Sequence, residues 1–180
     1  MKNLKLFIAL LLVFTASLFQ QSCGDDNGGA DYKMDNQDFV NRAVSSNNFE
    51  ITAGTLAQTK GQTDLVKQYG QHMVTDHTVV GAEMTGLAAR KGWAVPSTTD
   101  LQLKERVLLN TLDSVTNETF DMQFAAIMIA SHQDAVSLFE EASGREGARD
   151  AELRGFAGNK LPVLRTHLDE ARTLQSQLQE

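Results

Sequence analysis

The sequence has only one cysteine, two prolines and one tryptophan among its 180 residues. A lone cysteine excludes an internal disulfide. Aromatic content is low and no alternating apolar runs occur, whereas alanine, leucine, glutamine and glutamate are plentiful, and this composition favours an all-α protein. The chain also lacks a glycine-rich phosphate loop, a nucleophile elbow and a paired-cysteine motif, so the common enzyme motifs are missing.

The balance of charge is acidic. The formal net charge of the whole chain is −7, and without Lys2 and Lys5 the remaining 14 basic and 23 acidic residues leave −9. Such a chain has no electrostatic footprint for nucleic acid, and we expect no nucleic-acid partner. An anionic lipid surface would also repel it unless a covalent anchor holds it there.

The first 22 residues have the pattern of a signal peptide. Lys2 and Lys5 precede an apolar run over residues 6–19, which is too short to span a membrane comfortably. The chain is thus expected to be exported.

Cys23 follows this run directly, and its position resembles the lipidated cysteine of bacterial lipoproteins, although Gln20 stands where such sites usually have leucine. Residues 1–22 are therefore predicted to be a lipoprotein-type signal peptide, with Cys23 as the lipidation site. An ordinary secretory signal beside an unrelated cysteine is the alternative. Residues 23–34 are rich in glycine and aspartate and are predicted to form a flexible tether.

The rest of the chain, residues 35–180, is predicted to be one helical domain. Apolar residues recur at spacings of three and four in four long segments, with capping residues before them and glycine or proline after them. A shorter amphipathic run between the second and third segments predicts a connecting helix. Long helices of this kind favour a four-helix bundle. The predicted long helices cover residues 35–59, 63–91, 117–143 and 148–177.

Each long helix carries one ionisable residue near its midpoint on the apolar face, and these residues are Glu50, His77, His132 and His167. Three imidazoles and one carboxylate can bind a divalent transition-metal ion, so they are the candidate metal ligands. Asp76 and Asp121 are candidate acceptors for hydrogen bonds from the imidazole N–H groups.

A residue count from the interhelix turns supports a different interpretation. Measured from the turn near Gly61, Glu50 and His77 differ by roughly 7 Å along the bundle axis. The four side chains could then be staggered, each a hydrogen-bonded core group that fixes the register of the bundle. The chain also lacks the two Glu-x-x-His pairs of di-iron carboxylate proteins, which argues against a standard ferroxidase centre.

Several motifs together resemble domain-of-unknown-function family 4142. They are Val74-Thr75-Asp76-His77, Phe120-Asp121 with His132, Leu161-Pro162 with His167-Leu168, and Phe39-Val40 through Glu50-Ile51. The resemblance extends over about residues 36–178. It implies an exported bacterial protein with a ferritin-like four-helix bundle, but no established activity.

Two functions follow from these patterns. The first is a lipid-anchored protein of the periplasm or outer membrane that acts without catalysis, through partners that the sequence does not identify. The second is a metal-binding or redox-active protein with a Glu/His site inside the bundle, whose cofactor would be a divalent transition metal.

Overall fold

The computed structural model describes residues 32–115 and 118–180. The predicted signal peptide, the lipidation site at Cys23 and the tether as far as residue 31 lie outside these residues. None of the described helices is both long enough and apolar enough to cross a membrane.

Five α-helices make up most of the described chain, and their bounds are α1 Asn36–Lys60, α2 Asp64–Lys91, α3 Leu103–Ser114, α4 Glu118–Ser143 and α5 Ala151–Gln177. Apart from one isolated bridge, the described residues form no β-structure. The all-α bundle and the connecting helix predicted from the sequence are confirmed. The ferritin-like arrangement remains an expectation from the family resemblance.

Capping side chains explain where three long helices begin. Asp35, Thr63 and Asp150 each accept a hydrogen bond from a backbone N–H two or three residues further on. At the end of α2, Gly92 has a φ of 70°, the left-handed conformation that glycine adopts without a steric cost. The last helix was predicted to start at residue 148. It begins at Ala151 because Asp150 provides the cap.

The long helices form two antiparallel hairpins, α1 with α2 and α4 with α5. The hairpins pack with α1 against α4 and α2 against α5. Helix α3 runs back along the outside of the bundle, where it contacts α1 and α4. A hydrogen bond of 2.7 Å from the Gln102 N–H to the Ser45 hydroxyl holds the start of α3, and an ion pair between Lys60 and Asp113 holds its end.

Helices α1 and α2 approach each other closely at a pair of glycines. A Cβ atom on Gly54 would lie 2.6 Å from the Gly70 carbonyl oxygen, and one on Gly70 would lie 2.6 Å from the Gly54 carbonyl oxygen. No residue with a side chain fits at such a distance, so glycine at both positions lets the two backbones touch.

The domain starts earlier than the predicted residue 35. The Lys33 N–H donates a 2.7 Å hydrogen bond to the Glu146 carbonyl, and a parallel bridge joins Met34 to Ala148. Met34 is buried and the Arg154 guanidinium lies over the Tyr32 ring. The prediction that the tether extends to residue 34 was therefore wrong, because residues 32–34 pack on the turn between α4 and α5.

The hydrophobic core consists of two clusters at opposite ends of the bundle. One is built around Phe39, Leu87, Phe139 and Leu153, close to the start of α1. The other is built around Phe49, Met73, Phe120, Phe124 and Leu174, towards the turn between α1 and α2. The polar residues described next lie on the helices between these two clusters.

Candidate metal centre

The structure brings the four predicted ligands together in one layer of the bundle interior. Glu50 comes from α1, His77 from α2, His132 from α4 and His167 from α5, and each has at most 3% of its surface exposed. We call these four residues the central cluster. Their convergence shows that the four side chains are not staggered along the bundle, because staggered side chains would not contact one another.

The Glu50 carboxylate lies against two of the imidazoles. Its Oε2 atom is 2.7 Å from His77 Nε2 and 3.4 Å from His132 Nε2. One ring nitrogen from each of the three histidines lies within 4.8 Å of the other two. The Ser131 hydroxyl donates a 2.6 Å hydrogen bond to Glu50 Oε1, which fixes the carboxylate and leaves Oε2 towards the imidazoles.

In each imidazole, one ring nitrogen faces a hydrogen-bond acceptor outside the central cluster. The position of this acceptor determines which nitrogen carries the proton. His77 Nδ1 is 3.1 Å from Asn47 Oδ1, His132 Nδ1 is 3.0 Å from the Met128 carbonyl oxygen, and His167 Nε2 is 3.0 Å from Asp76 Oδ2. Because these oxygens accept, the facing nitrogens donate. In the neutral rings the lone pairs are therefore on His77 Nε2, His132 Nε2 and His167 Nδ1.

Those three nitrogens and Glu50 Oε2 are buried and have no hydrogen-bond partner within residues 32–115 and 118–180. The short contact between His77 Nε2 and Glu50 Oε2 lacks the alignment of a hydrogen bond. A lone pair facing a carboxylate at this distance is repulsive unless a proton or a metal cation lies between them. A positive charge between them would therefore stabilise all four of these buried donor atoms.

The direction of the side chains explains why the predicted stagger does not occur. In a helix, each Cα–Cβ bond tilts towards the N-terminus. His77 is further from the turn between α1 and α2 than Glu50, and its side chain leans back towards that turn. The Glu50 side chain leans away from the turn. In the second hairpin, His167 is likewise further from the turn than His132. In both hairpins the tilt of the side chains thus reduces the offset along the bundle axis.

Two opposing effects act on the Glu50 carboxyl. Burial alone would raise its pKa, but the electrostatic effect of His132 and His77, with the hydrogen bond from the Ser131 hydroxyl, outweighs burial and lowers the pKa to about 2. Glu50 is thus a carboxylate at neutral pH. A buried carboxylate among imidazoles is a strong attractor for one cation.

The His167 imidazole is held neutral. Burial lowers its pKa to about 4, and His77 and His132 lower it further, although the hydrogen bond that His167 donates to Asp76 raises it. A neutral ring is the form that can bind a metal ion.

Asp76 links the central cluster to the surface. Besides its hydrogen bond with His167, its Oδ2 atom lies 3.1 Å from Nε2 of the half-exposed His72. The other ring nitrogen of His72 is 3.1 Å from Glu170 Oε2. We call His72, Asp76 and Glu170 the outer cluster. Asp76 therefore occupies the position predicted for it, as an acceptor for an imidazole N–H.

The corresponding prediction for Asp121 was wrong. Its two carboxylate oxygens accept hydrogen bonds of 2.8–2.9 Å from the backbone N–H groups of Gln62 and Thr63 and from the Thr63 hydroxyl. Asp121 lies on the same helix face as His132 but three turns away, at the end of the bundle, where it holds the turn between α1 and α2.

A comparison with known families agrees with the sequence motifs. The model of the family described as domain of unknown function DUF4142 matches residues 22–174. The chain belongs to the DUF4142 family. No curated protein and no solved structure gave a match. The family description leaves the function open, so the chemistry of this DUF4142 chain has to come from its own residues.

Sequence reasoning missed three groups that hold the central cluster of this DUF4142 protein in place. Asn47 and Ser131 are buried polar residues, and a signal for Asn47 exists in the run of four polar residues just before Phe49, since such a run places polar side chains on the buried face of the helix. The Met128 carbonyl, by contrast, is a backbone group, and no residue type could have revealed its role.

Proposed function

We propose that this protein binds one divalent first-row transition-metal ion in the central cluster. The observation that carries the proposal is the set of four buried donor atoms that face one another without hydrogen-bond partners among the described residues. This observation therefore supports the metal-binding function over the non-catalytic function that depends only on partners.

The spacing of the donors suits such an ion. Donors bonded at about 2.1 Å to a tetrahedral ion are roughly 3.4 Å apart. The distance between Glu50 Oε2 and His132 Nε2 is 3.4 Å. Side-chain rotation would bring the remaining imidazole nitrogens, now within 4.8 Å of one another, to similar distances.

The type of donor narrows the choice of ion. Imidazole nitrogen with one carboxylate oxygen suits Zn²⁺, Fe²⁺, Ni²⁺ or Cu²⁺, whereas Mg²⁺ and Ca²⁺ prefer shells made only of oxygen. The hydrogen bonds that the three rings donate to Asn47, to the Met128 carbonyl and to Asp76 orient the rings, as the partners of metal-binding histidines usually do.

Co²⁺ titration of tag-free protein is the direct test, because the visible absorption of Co²⁺ reports its coordination. We expect one equivalent to bind with a tetrahedral or five-coordinate spectrum, and the melting temperature to rise, since the metal binds only the folded state. The His132→Ala variant should lose the spectrum. The matched control His72→Ala, which removes an imidazole outside the central cluster, should keep it.

Wild-type protein that binds no Co²⁺, or that binds it equally well after His132→Ala, would overturn the proposal. Elemental analysis of protein purified without a histidine tag gives a second readout. Metal content close to one ion per chain in wild type, and well below one in His132→Ala, is the expected result.

We also propose that the domain is exported and anchored through a lipid on Cys23. The basic start, the apolar run and the lone cysteine support this. Replacing Cys23 with serine should release the domain into the soluble fraction of the cell envelope. A variant that stays with the membrane would contradict the anchor.

A further inference from the structure

A cavity of about 250 Å³ reaches the central cluster from one side. It enters between α1 and α2 beneath the segment of residues 95–98, and it extends into the hydrophobic cluster near the start of α1. Apolar side chains form most of its wall, and Glu50 and His77 line it as well. These two residues carry donor atoms of the proposed metal site, so the cavity lies directly beside that site.

The size of the cavity limits what it can hold. An apolar cavity of about 150 Å³ is large enough to bind benzene. The cavity described here is therefore large enough for one aromatic ring or a short branched chain, together with a small polar group. Its walls of Ala43, Met84, Phe139 and Leu164 suit an apolar body, which would lie away from the metal.

The net charge of the metal centre determines which charge the polar group of a bound ligand should carry. A divalent ion with its four ligands, Glu50 as a carboxylate and three neutral imidazoles, has a net charge of +1. The Asp76 carboxylate that accepts from His167 is partly exposed to solvent and does not line the cavity. None of the residues that line the cavity is lysine or arginine. A monoanion would neutralise the centre in this apolar surrounding, whereas a dianion would leave an uncompensated buried charge.

We infer that the metal-loaded centre binds a small apolar monocarboxylate, whose carboxylate completes the metal coordination and whose apolar body fills the cavity. This inference rests on the proposed metal site. It adds a class of small-molecule ligand to that site, and it gives the apolar cavity beside the metal a role in selecting the ligand by size.

The test uses the Co²⁺-loaded protein and three probes that separate charge from size. Benzoate should change the visible spectrum of bound Co²⁺ and should bind at least about tenfold more tightly than acetate, which has no ring to bury. Benzamide has the ring without the charge and should leave the spectrum unchanged. Metal-free protein should bind no benzoate, because the Glu50 carboxylate would repel it.

Two variants test the cavity itself. Ala43→Leu fills its apolar end, and Val80→Phe narrows its wall between α1 and α2. Neither residue belongs to the central cluster, so both variants should bind Co²⁺ like wild type while benzoate binding weakens at least about tenfold. If Ala43→Leu does not fold, Val80→Phe alone tests whether the cavity binds the ligand.

The outcomes separate this inference from the metal proposal. Absence of a Co²⁺ spectrum would overturn the metal site. A normal Co²⁺ spectrum that benzoate does not change would overturn the ligand inference alone. Acetate binding as tightly as benzoate, equal benzoate binding to metal-free protein, or unchanged benzoate binding in the folded variants would also overturn the ligand inference.

Discussion

The central cluster and the outer cluster use the same residue types in opposite ratios. The central cluster places three imidazoles around one carboxylate, and all four side chains are buried. In the outer cluster one half-exposed imidazole, His72, lies between the carboxylates of Asp76 and Glu170. With a carboxylate beside each ring nitrogen, His72 can be satisfied by a proton. The inner rings share one carboxylate and keep a free lone pair each, which a single metal ion would satisfy better.

Burial alone therefore does not identify a ligand histidine. What identifies it is the partner of each ring nitrogen. An imidazole with an acceptor on one side and an unpartnered buried nitrogen on the other is oriented for a metal, whereas an imidazole between two carboxylates has a partner for both nitrogens.

The largest effect should come from removing His77 in the metal-free protein. The His77→Leu variant leaves the buried Glu50 carboxylate without its closest partner, and breaking a buried pair in this way costs about 3–5 kcal/mol of unfolding free energy. His72→Leu removes a partner from surface carboxylates and should cost less than about 1 kcal/mol. Urea unfolding at pH 7.5 measures both. Equal losses would mean that the two clusters do not differ.

Acid should destabilise the protein through His167. Its folded pKa of about 4 lies below the unfolded value of about 6.5. The unfolded chain then binds more protons between these values, so the contribution to stability is complete above pH 6.5 and is lost as pH falls towards 4. The shift corresponds to a loss on the order of 3 kcal/mol.

Urea unfolding of metal-free wild type and of His167→Gln at pH 7.5 and pH 5 checks this window. Wild type should lose stability on acidification, and the variant should lose clearly less. An identical loss in both proteins would show that another group is responsible. The neighbours His77, His132, Glu50, Asp76 and His72 are unchanged in this comparison.

A smaller effect should distinguish the two carboxylates of the outer cluster. Asp76→Asn weakens the hydrogen bond that orients His167, and a change of this kind lowers metal affinity about 10–100-fold. Glu170→Gln alters a carboxylate that contacts only His72 among these histidines and should leave the affinity within about threefold of wild type. Competition for Zn²⁺ with a coloured chelator measures both affinities. Equal effects of the two variants on Zn²⁺ affinity would show that Asp76, like Glu170, does not support the metal site.

The smallest effect is expected at Asp121, the carboxylate on the same helix face at the end of the bundle. Asp121→Ala leaves two backbone N–H groups without their acceptor and should cost about 1–2 kcal/mol of unfolding free energy. Zn²⁺ affinity should not change, because Asp121 contacts no residue of the central cluster. A tenfold weaker affinity in the same chelator competition would show that the end of the bundle and its centre are coupled.

Much of the fold could be predicted from the sequence because its local signals agree. Asp35 and Thr63 mark helix starts, Gly61 and Gly92 mark helix ends, and apolar residues recur with helical spacing between them. The cap at Asp150 was missed, so the last helix was predicted to begin three residues too early. The four central donors could be predicted because each is the lone ionisable residue near the middle of an apolar stripe.

The remaining errors have physical causes. A count of residues treats side chains as points on the helix axis, so it could not show that side-chain tilt draws Glu50 and His77 together. Asp121 was misassigned because a shared helix face says nothing about distance along the axis. The Met128 carbonyl could not be predicted at all, since its role depends on the helix backbone rather than on a residue type.

The close approach of Gly54 and Gly70 has a consequence for engineering the centre. Gly54 lies one turn after Glu50, and Gly70 lies two turns before His77, so the closest contact of the two backbones is near the proposed metal site. A Cβ at either position would push the two helices apart, and the proposed metal site tolerates only about 0.2 Å of variation in its bond lengths. Libraries that vary only the four proposed ligands would therefore leave the helix spacing unchanged. To fit an ion of a different radius at the proposed site, the design has to change two residues that carry no functional group.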